Sequence, residues 1–288
     1  MHRILSILQS LFNFLLFSSV YIAFCAVAMT WQSNELLHLQ YDYNTFYGFV
    51  FFATICSYNF HWYLTPPGAD DISHRLSWGQ RQRALQLLLC AIGLLGSLWY
   101  YLPLQQHWLP VSGAIFLTFL YSAPKLAYKP FIWLRKIAIG KTLFLTFVWT
   151  YVTTVLPALV AGNIHSASLT LLTLHRFFLI YAICILFDNR DREEDKKQGI
   201  RSLITWFNDK GVSRLYYLSV ALAAVFAIGL LFYVDGWLVG TLLVPVAITA
   251  MVKRYSETHA SDYVYYFYLD GLMMLSALLH YAGFLAGW

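Results

Sequence analysis

The sequence predicts an all-helical integral membrane protein with nine transmembrane helices, its amino terminus cytoplasmic and its carboxyl terminus outside. Three observations carry that prediction. Of the 288 residues, 59% are hydrophobic and only 11% are charged, whereas a soluble domain carries about 25% charged residues. Nine apolar stretches approach or exceed the length needed to cross a hydrocarbon core about 30 Å thick. The loops between them alternate between nearly uncharged and strongly basic. Mean hydropathy is +0.58. So little charge cannot clothe a soluble surface, which excludes a water-soluble enzyme, a disordered chain and a nucleic-acid binder. The net charge of +5 and pI near 8.9 matter less here than where the basic residues sit around a bilayer.

The stretches run at about 6–30, 46–64, 84–101, 109–121, 138–160, 168–187, 215–233, 237–252 and 263–286. The first follows Met1-His2-Arg3 and superficially resembles a signal peptide. It lacks a small-x-small cleavage site and more spans follow, so it is expected to stay as the first membrane helix. Loops after odd spans carry only Glu35, Asp42 and Asp235. Loops after even spans carry Arg75, Arg81 and Arg83, then Lys125, Lys129, Arg135, Lys136 and Lys141. The next holds Arg190, Arg192, Lys196, Lys197, Arg201, Lys210 and Arg214, and the last holds Lys253 and Arg254. With Arg3, 18 of the 19 basic residues fall on one side, which the positive-inside rule makes cytoplasmic. The exception, Arg176 near the outer end of the sixth span, is expected to snorkel outward along its aliphatic stem.

Cys25, Cys56, Cys90 and Cys184 lie inside apolar runs without CxxC spacing and are read as small buried hydrophobes, not as a disulfide or metal set. No linker, composition shift or internal repeat divides the chain, so residues 1–288 are read as one helical membrane domain. Multi-pass insertion in the plasma (inner) membrane is expected, with the charged site on the cytoplasmic side.

The most informative stretch, 187–199, reads FDNRDREEDKKQG. If the sixth helix continues past the membrane, Asp188, Asp191 and Asp195 stand at i, i+3 and i+7 on one face. Three stacked carboxylates repel one another, and a divalent cation relieves that repulsion. Oxygen-only ligands select a hard ion such as Mg²⁺, which typically bridges a few carboxylates to substrate phosphates. The plain alternative is a solvated zwitterionic loop in which Asp pairs with Arg and Lys.

Nine spans with D-x-x-D-x-x-x-D after the sixth, followed by Gly199 and Arg201-Ser202-Leu203, resemble the UbiA superfamily of intramembrane prenyltransferases. Tyr121-Ser122-Ala123-Pro124-Lys125, after the fourth span, matches that superfamily's Y-x-x-x-K. The resemblance implies a UbiA-like helical bundle that binds a prenyl diphosphate through Mg²⁺, with the prenyl tail in a membrane cavity. It implies that Asp188, Asp191 and Asp195 form the second of two metal sites and act in catalysis. It further implies that Tyr121 and Lys125 contact the diphosphate, and that an isoprenyl group passes to a hydrophobic, aromatic acceptor. Two aspartate motifs are expected in that superfamily. Here the first reads Tyr58-Asn59-Phe60-His61-Trp62-Tyr63-Leu64-Thr65-Pro66-Pro67. Asn59 matches the leading Asn and stands as a substrate-binding candidate, but Tyr63 and Pro67 replace the carboxylates four and eight residues on. Asp70 and Asp71 are possible displaced ligands, His61 a possible ligand or base, and Arg75, Arg81 and Arg83 possible phosphate contacts. Each also has a plain structural reading.

Asp270, seven residues into the ninth span, lies about 10 Å below its start. An intramembrane carboxylate is a functional candidate by default, here for substrate binding; pairing with a base such as Lys141 is the structural alternative. Two further readings stay open: a non-catalytic isoprenoid-diphosphate binder with the same fold, and a transporter.

Overall fold

A computed structural model describes residues 2–65, 73–125, 141–163, 165–197 and 202–287, and these contain helices and no strand. The helices are α1 (His2–Phe17), α2 (Val20–Leu37), α3 (Tyr43–Tyr63), α4 (His74–Arg81), α5 (Arg83–Tyr101), α6 (Trp108–Ser122) and α7 (Lys141–Thr150). There follow α8 (Leu156–Val160), α9 (Ala167–Lys197), α10 (Leu203–Trp206), α11 (Asp209–Gly229), α12 (Gly236–Thr258) and α13 (Asp270–Leu285). Among the described residues, six helical stretches are long and apolar enough to cross a membrane. The bent α1–α2 pair makes a seventh if it is one span. One stretch, Arg83–Ser122, has 40 residues and holds both α5 and α6. At 1.5 Å per residue it is about 60 Å long, twice the hydrocarbon thickness.

The first expected span is not one continuous helix. The chain bends by 57° between α1 and α2, at Ser18-Ser19, where Ser19 has a left-handed φ of 69°. The break sends the two halves to different environments. Most of α2 is buried in the bundle, whereas Ile4, Leu5, Leu8 and Leu11 of α1 are more than half exposed. Exposed apolar side chains also cover the outside elsewhere, for example Leu95, Trp99, Phe232 and Met251, as a lipid-facing surface requires.

Two features place the site. The first is the length of α9: 31 residues, about 46 Å, outrun a 30 Å core by some ten residues. Its last three turns therefore carry Asp188, Asp191 and Asp195 on a continuous helix, as the spacing predicts. The second is the close approach of α5 to α3. A Cβ on Gly93 would stand 2.5 Å from the Cys56 backbone nitrogen and 2.8 Å from the Phe52 carbonyl oxygen. Only glycine lets the backbones come this near. That contact fixes the angle at which α3 presents its cavity face. The four cysteines are free; Cys56 and Cys90 face each other across this contact at 3.8 Å.

Arg176 does not snorkel. It is 2% exposed and points into the bundle. There its guanidinium donates to Ser33 Oγ (2.5 Å), Thr154 Oγ1 (3.0 Å), the Thr153 carbonyl (3.1 Å) and Gln32 Oε1 (3.2 Å). The Thr153 carbonyl lies in a π-helical turn, Tyr151–Val155, and Ser276 Oγ of α13 donates to the same Gln32 oxygen at 2.8 Å. Four neutral oxygens converging on one fork outweigh the reach to the interface, so α2, α9, α13 and the π-turn are tied at one point.

Candidate active site

One cavity of about 2350 Å³ runs through the bundle, well above the 300–1,000 Å³ typical of small-ligand pockets. Along α3 its lining extends from Phe49 to Trp62, about 20 Å of helix. Phe49, Val50, Leu94, Leu98, Ala114 and Val152 line it with apolar surface. Charged and polar groups enter where α3, α6 and α9 end and α4 begins. Of the residues singled out from sequence, Tyr121, Lys125, Asp188, Asp191, Asp195 and Asp270 all line this space.

Asn59 does not. It is fully buried, and its Nδ2 donates to the carbonyls of Ser18 (2.9 Å) and Ile55 (2.8 Å). The face of α3 turned to the cavity instead bears Tyr58, His61 and Trp62, at i, i+3 and i+4, and Thr65 joins them just past the end of the helix. Asn59 and Tyr63 belong to a different face, and Tyr63 stacks under the Arg83 guanidinium at 4.7 Å. Asn59 thus ties α3 to the α1–α2 break through its amide nitrogen, away from the cavity lining. Asp70, Asp71, Pro67, Gly199, Arg201 and the side chain of Lys141 lie outside the described residues.

The α9 face holds hard oxygen donors. Asp188 is 6% exposed and accepts a hydrogen bond from the Thr142 hydroxyl. Asp195 is equally buried, and Glu194 joins them in the lining. Asp191 is the exposed member and pairs with Arg190, Nε to Oδ1 at 2.8 Å. No three His, Cys, Asp or Glu side chains among the described residues converge as a ready metal cage. Mg²⁺ needs no such cage, since it usually takes one or two carboxylates and completes its shell with water and phosphate oxygens. The donor set on α9 fits that ion; the neutral α3 face does not.

Cations stand opposite. Lys125 Nζ lies 2.6 Å from His61 Nε2 and also donates to the Thr65 hydroxyl. A charged ammonium only donates, so His61 Nε2 accepts and its proton sits on Nδ1, 3.3 Å from Ser122 Oγ. The Tyr121 ring stacks on the same imidazole at 4.8 Å. Arg75 is 5% exposed, with its guanidinium 4.2 Å from the Trp62 ring centre and 5.1 Å from that of Tyr266. Burial pushes its pKa down to about 10, so it remains charged at neutral pH. Its Nη1 donates to the Leu16 carbonyl at 3.2 Å, while its Nε finds no partner.

Asp262 organises this side. Its Oδ2 accepts from the Arg75 backbone N–H and from Ser73 Oγ, both at 2.9 Å, and its Oδ1 lies 3.6 Å from Arg190. Arg190 also donates to the Tyr266 hydroxyl at 3.2 Å and sits 4.3 Å from the Tyr265 ring centre. Both tyrosines belong to a π-helical turn, Val264–Leu269, that leads into α13. A π-turn is frequent at functional sites, and this one delivers Asp270 to the cavity.

A sequence model of the UbiA prenyltransferase family matches residues 72–272. The chain belongs to that family. The matched region starts after α3, so it leaves out Asn59 and the altered first motif and takes in the α9 aspartates, Tyr121 and Lys125. Among solved structures, an apo UbiA homolog from Aeropyrum pernix K1 superposes with a TM-score of 0.68 at 13% identity. That alignment covers 93% of this chain and 98% of the other. A digeranylgeranylglyceryl phosphate synthase superposes with a TM-score of 0.54 at 16% identity, over 96% and 98%. At these identities the likeness is one of fold. No curated protein matches the chain by sequence.

Sequence reasoning passed over Arg190, Glu194, Asp262, Trp62 and Tyr266. Arg190 and Glu194 were masked by the charge run around them. Asp262 carried one signal, a lone acid immediately before the ninth span.

Proposed function

We propose that this UbiA family member is an intramembrane prenyltransferase that moves an isoprenyl group from its diphosphate to a hydrophobic, aromatic acceptor. The observation that carries this reading is that the α9 carboxylates, Lys125, Arg75 and Arg190 all line the charged end of one large apolar cavity. Such a mouth suits a diphosphate, and such a cavity suits a prenyl tail with room for a second apolar molecule. In this reading residues 1–288 act as one domain, crossing the membrane nine times with α5 and α6 as separate spans. The basic end is cytoplasmic, by the positive-inside rule.

Asp188, Asp191 and Asp195 would hold Mg²⁺, which neutralises charge on the diphosphate and makes it a competent leaving group. Lys125 contributes a mobile ammonium and Tyr121 a phenol held against His61. When the allylic C–O bond breaks, the electron pair leaves with the diphosphate and an allylic cation remains. Aromatic faces stabilise such a cation by about 0.5–2 kcal/mol each, and Tyr58, Trp62, Trp149 and Tyr266 line the cavity. The apolar walls exclude water that would otherwise capture the cation. Asp270, which lines the same cavity, would hydrogen-bond an acceptor hydroxyl.

Binding of geranylgeranyl diphosphate to the detergent-purified protein, with Mg²⁺ and with EDTA, tests the reading. Metal-dependent binding lost in Asp191→Ala supports it. Binding indifferent to both Mg²⁺ and Asp191 removes the α9 carboxylates from the mechanism.

A further inference from the structure

Among the described residues, the α3 side of the cavity offers no carboxylate for a second Mg²⁺. Its polar and aromatic lining toward the charged end includes a phenol, an imidazole, an indole and a hydroxyl: Tyr58, His61, Trp62 and Thr65. None is a hard anionic ligand. Two of them already serve another cation, because His61 Nε2 and Thr65 Oγ1 both accept from Lys125 Nζ. Trp62, between them in the helix, lies under Arg75 at 4.2 Å and within 5.5 Å of Lys125 Nζ. The altered motif is thus rebuilt into a cradle for side-chain cations.

Arg75 supplies the second observation. Its side chain is buried and lines the cavity, yet Nε is a donor with no hydrogen-bond partner. A buried donor left unmet is costly, and a guanidinium edge matches phosphate oxygens bidentately. Its other contacts fix rather than satisfy it: aromatic faces on two sides, one carbonyl at Nη1, and its own backbone N–H on Asp262.

We infer that Arg75 and Lys125 stand in for the first metal ion, so that this protein grips its prenyl diphosphate with a single Mg²⁺ on α9 and two resident cations on the α3 side. The inference rests on the prenyl-diphosphate reading and refines it. Two charges delivered by a metal elsewhere are here covalently part of the chain. Diphosphate binding is then first order in metal, and part of the affinity survives without any metal.

Metal stoichiometry tests this without relying on turnover. Mn²⁺ bound to the full-length protein in detergent is counted by electron paramagnetic resonance, with saturating geranylgeranyl thiolodiphosphate as an unreactive probe. One Mn²⁺ per chain is expected for wild type, and none for Asp191→Asn. Arg75→Gln is expected to keep one Mn²⁺ while its affinity for the probe falls by about 10- to 100-fold, the loss of one or two charge-assisted hydrogen bonds. Because Arg75 is buried, Lys125→Gln serves as an independent variant with the same expectation. Two Mn²⁺ per wild-type chain would overturn the inference while leaving the prenyl-diphosphate reading intact. So would probe affinity unchanged in both cation variants. Failure of the probe to bind wild type at all would instead remove the reading beneath it.

Discussion

Replacing Asp191 by Asn separates catalysis from stability, and the geometry sets both magnitudes. The Asp191 side chain is 41% exposed and touches Arg190 through a single 2.8 Å contact. Arg190, 17% exposed, keeps Tyr266 and Asp262 as partners, and the amide oxygen of Asn still accepts from Arg190 Nε, so little stability is lost. The variant should therefore fold normally, with a melting temperature within a few degrees of wild type. Its chemistry should not survive as well. Asp191 is the solvent-facing donor of the α9 set, and losing its charge weakens the stabilisation of the departing diphosphate. Removing one preorganised electrostatic partner of a transition state typically costs 10²–10³ in rate, about 2.7–4 kcal/mol. Inorganic diphosphate release, measured with a coupled phosphatase at saturating Mg²⁺, should fall by that factor. A variant that melts like wild type and releases diphosphate within about threefold of it would refute the role given to α9.

Other expectations follow from particular contacts. Gly93→Ala places a Cβ against the α3 backbone; overpacking of this kind costs about 1–3 kcal/mol and should lower thermal stability while tilting His61 and Trp62 away from Lys125. Arg176→Lys cannot fork to four oxygens, so detergent-solubilised protein should melt earlier, by the loss of about 1–3 kcal/mol, with prenyl-diphosphate affinity unchanged. Asp270→Asn should raise KM for the acceptor while the affinity for prenyl diphosphate, measured separately, holds. Removing Mg²⁺ with EDTA should lower prenyl-diphosphate affinity in wild type but not in Asp191→Asn, where no ion is left to lose.

Much of this architecture was legible in the sequence because a bilayer imposes long apolar helices and sorts basic residues. The stretches from 46–64 onward fall on helices in the described residues, and the α9 carboxylates emerge on one continuous helix because their spacing suits no break. The failures share a cause: each depended on a three-dimensional partner. Ser18-Ser19 looks unremarkable inside an apolar run, yet a left-handed Ser19 splits it. Arg176 looks like an interfacial anchor until Gln32, Ser33 and Thr154 are brought to it from distant helices. Asn59 matched a motif position, but helical phase turns it from the cavity and turns His61 and Thr65 toward it. The pairing of those two with Lys125, some sixty residues on, has no local sequence signature.

The central claim is prenyl transfer inside this cavity, and product formation tests it most directly. Purified protein in liposomes would be given geranylgeranyl diphosphate, Mg²⁺ and a panel of quinone-precursor acceptors, with products analysed by mass spectrometry alongside inorganic diphosphate. The account predicts an acceptor heavier by one geranylgeranyl group, formed in step with diphosphate and about 10²–10³-fold more slowly with Asp191→Asn. Tight, metal-dependent binding that yields neither prenylated product nor diphosphate with any acceptor would contradict it and leave a binder in the family's fold.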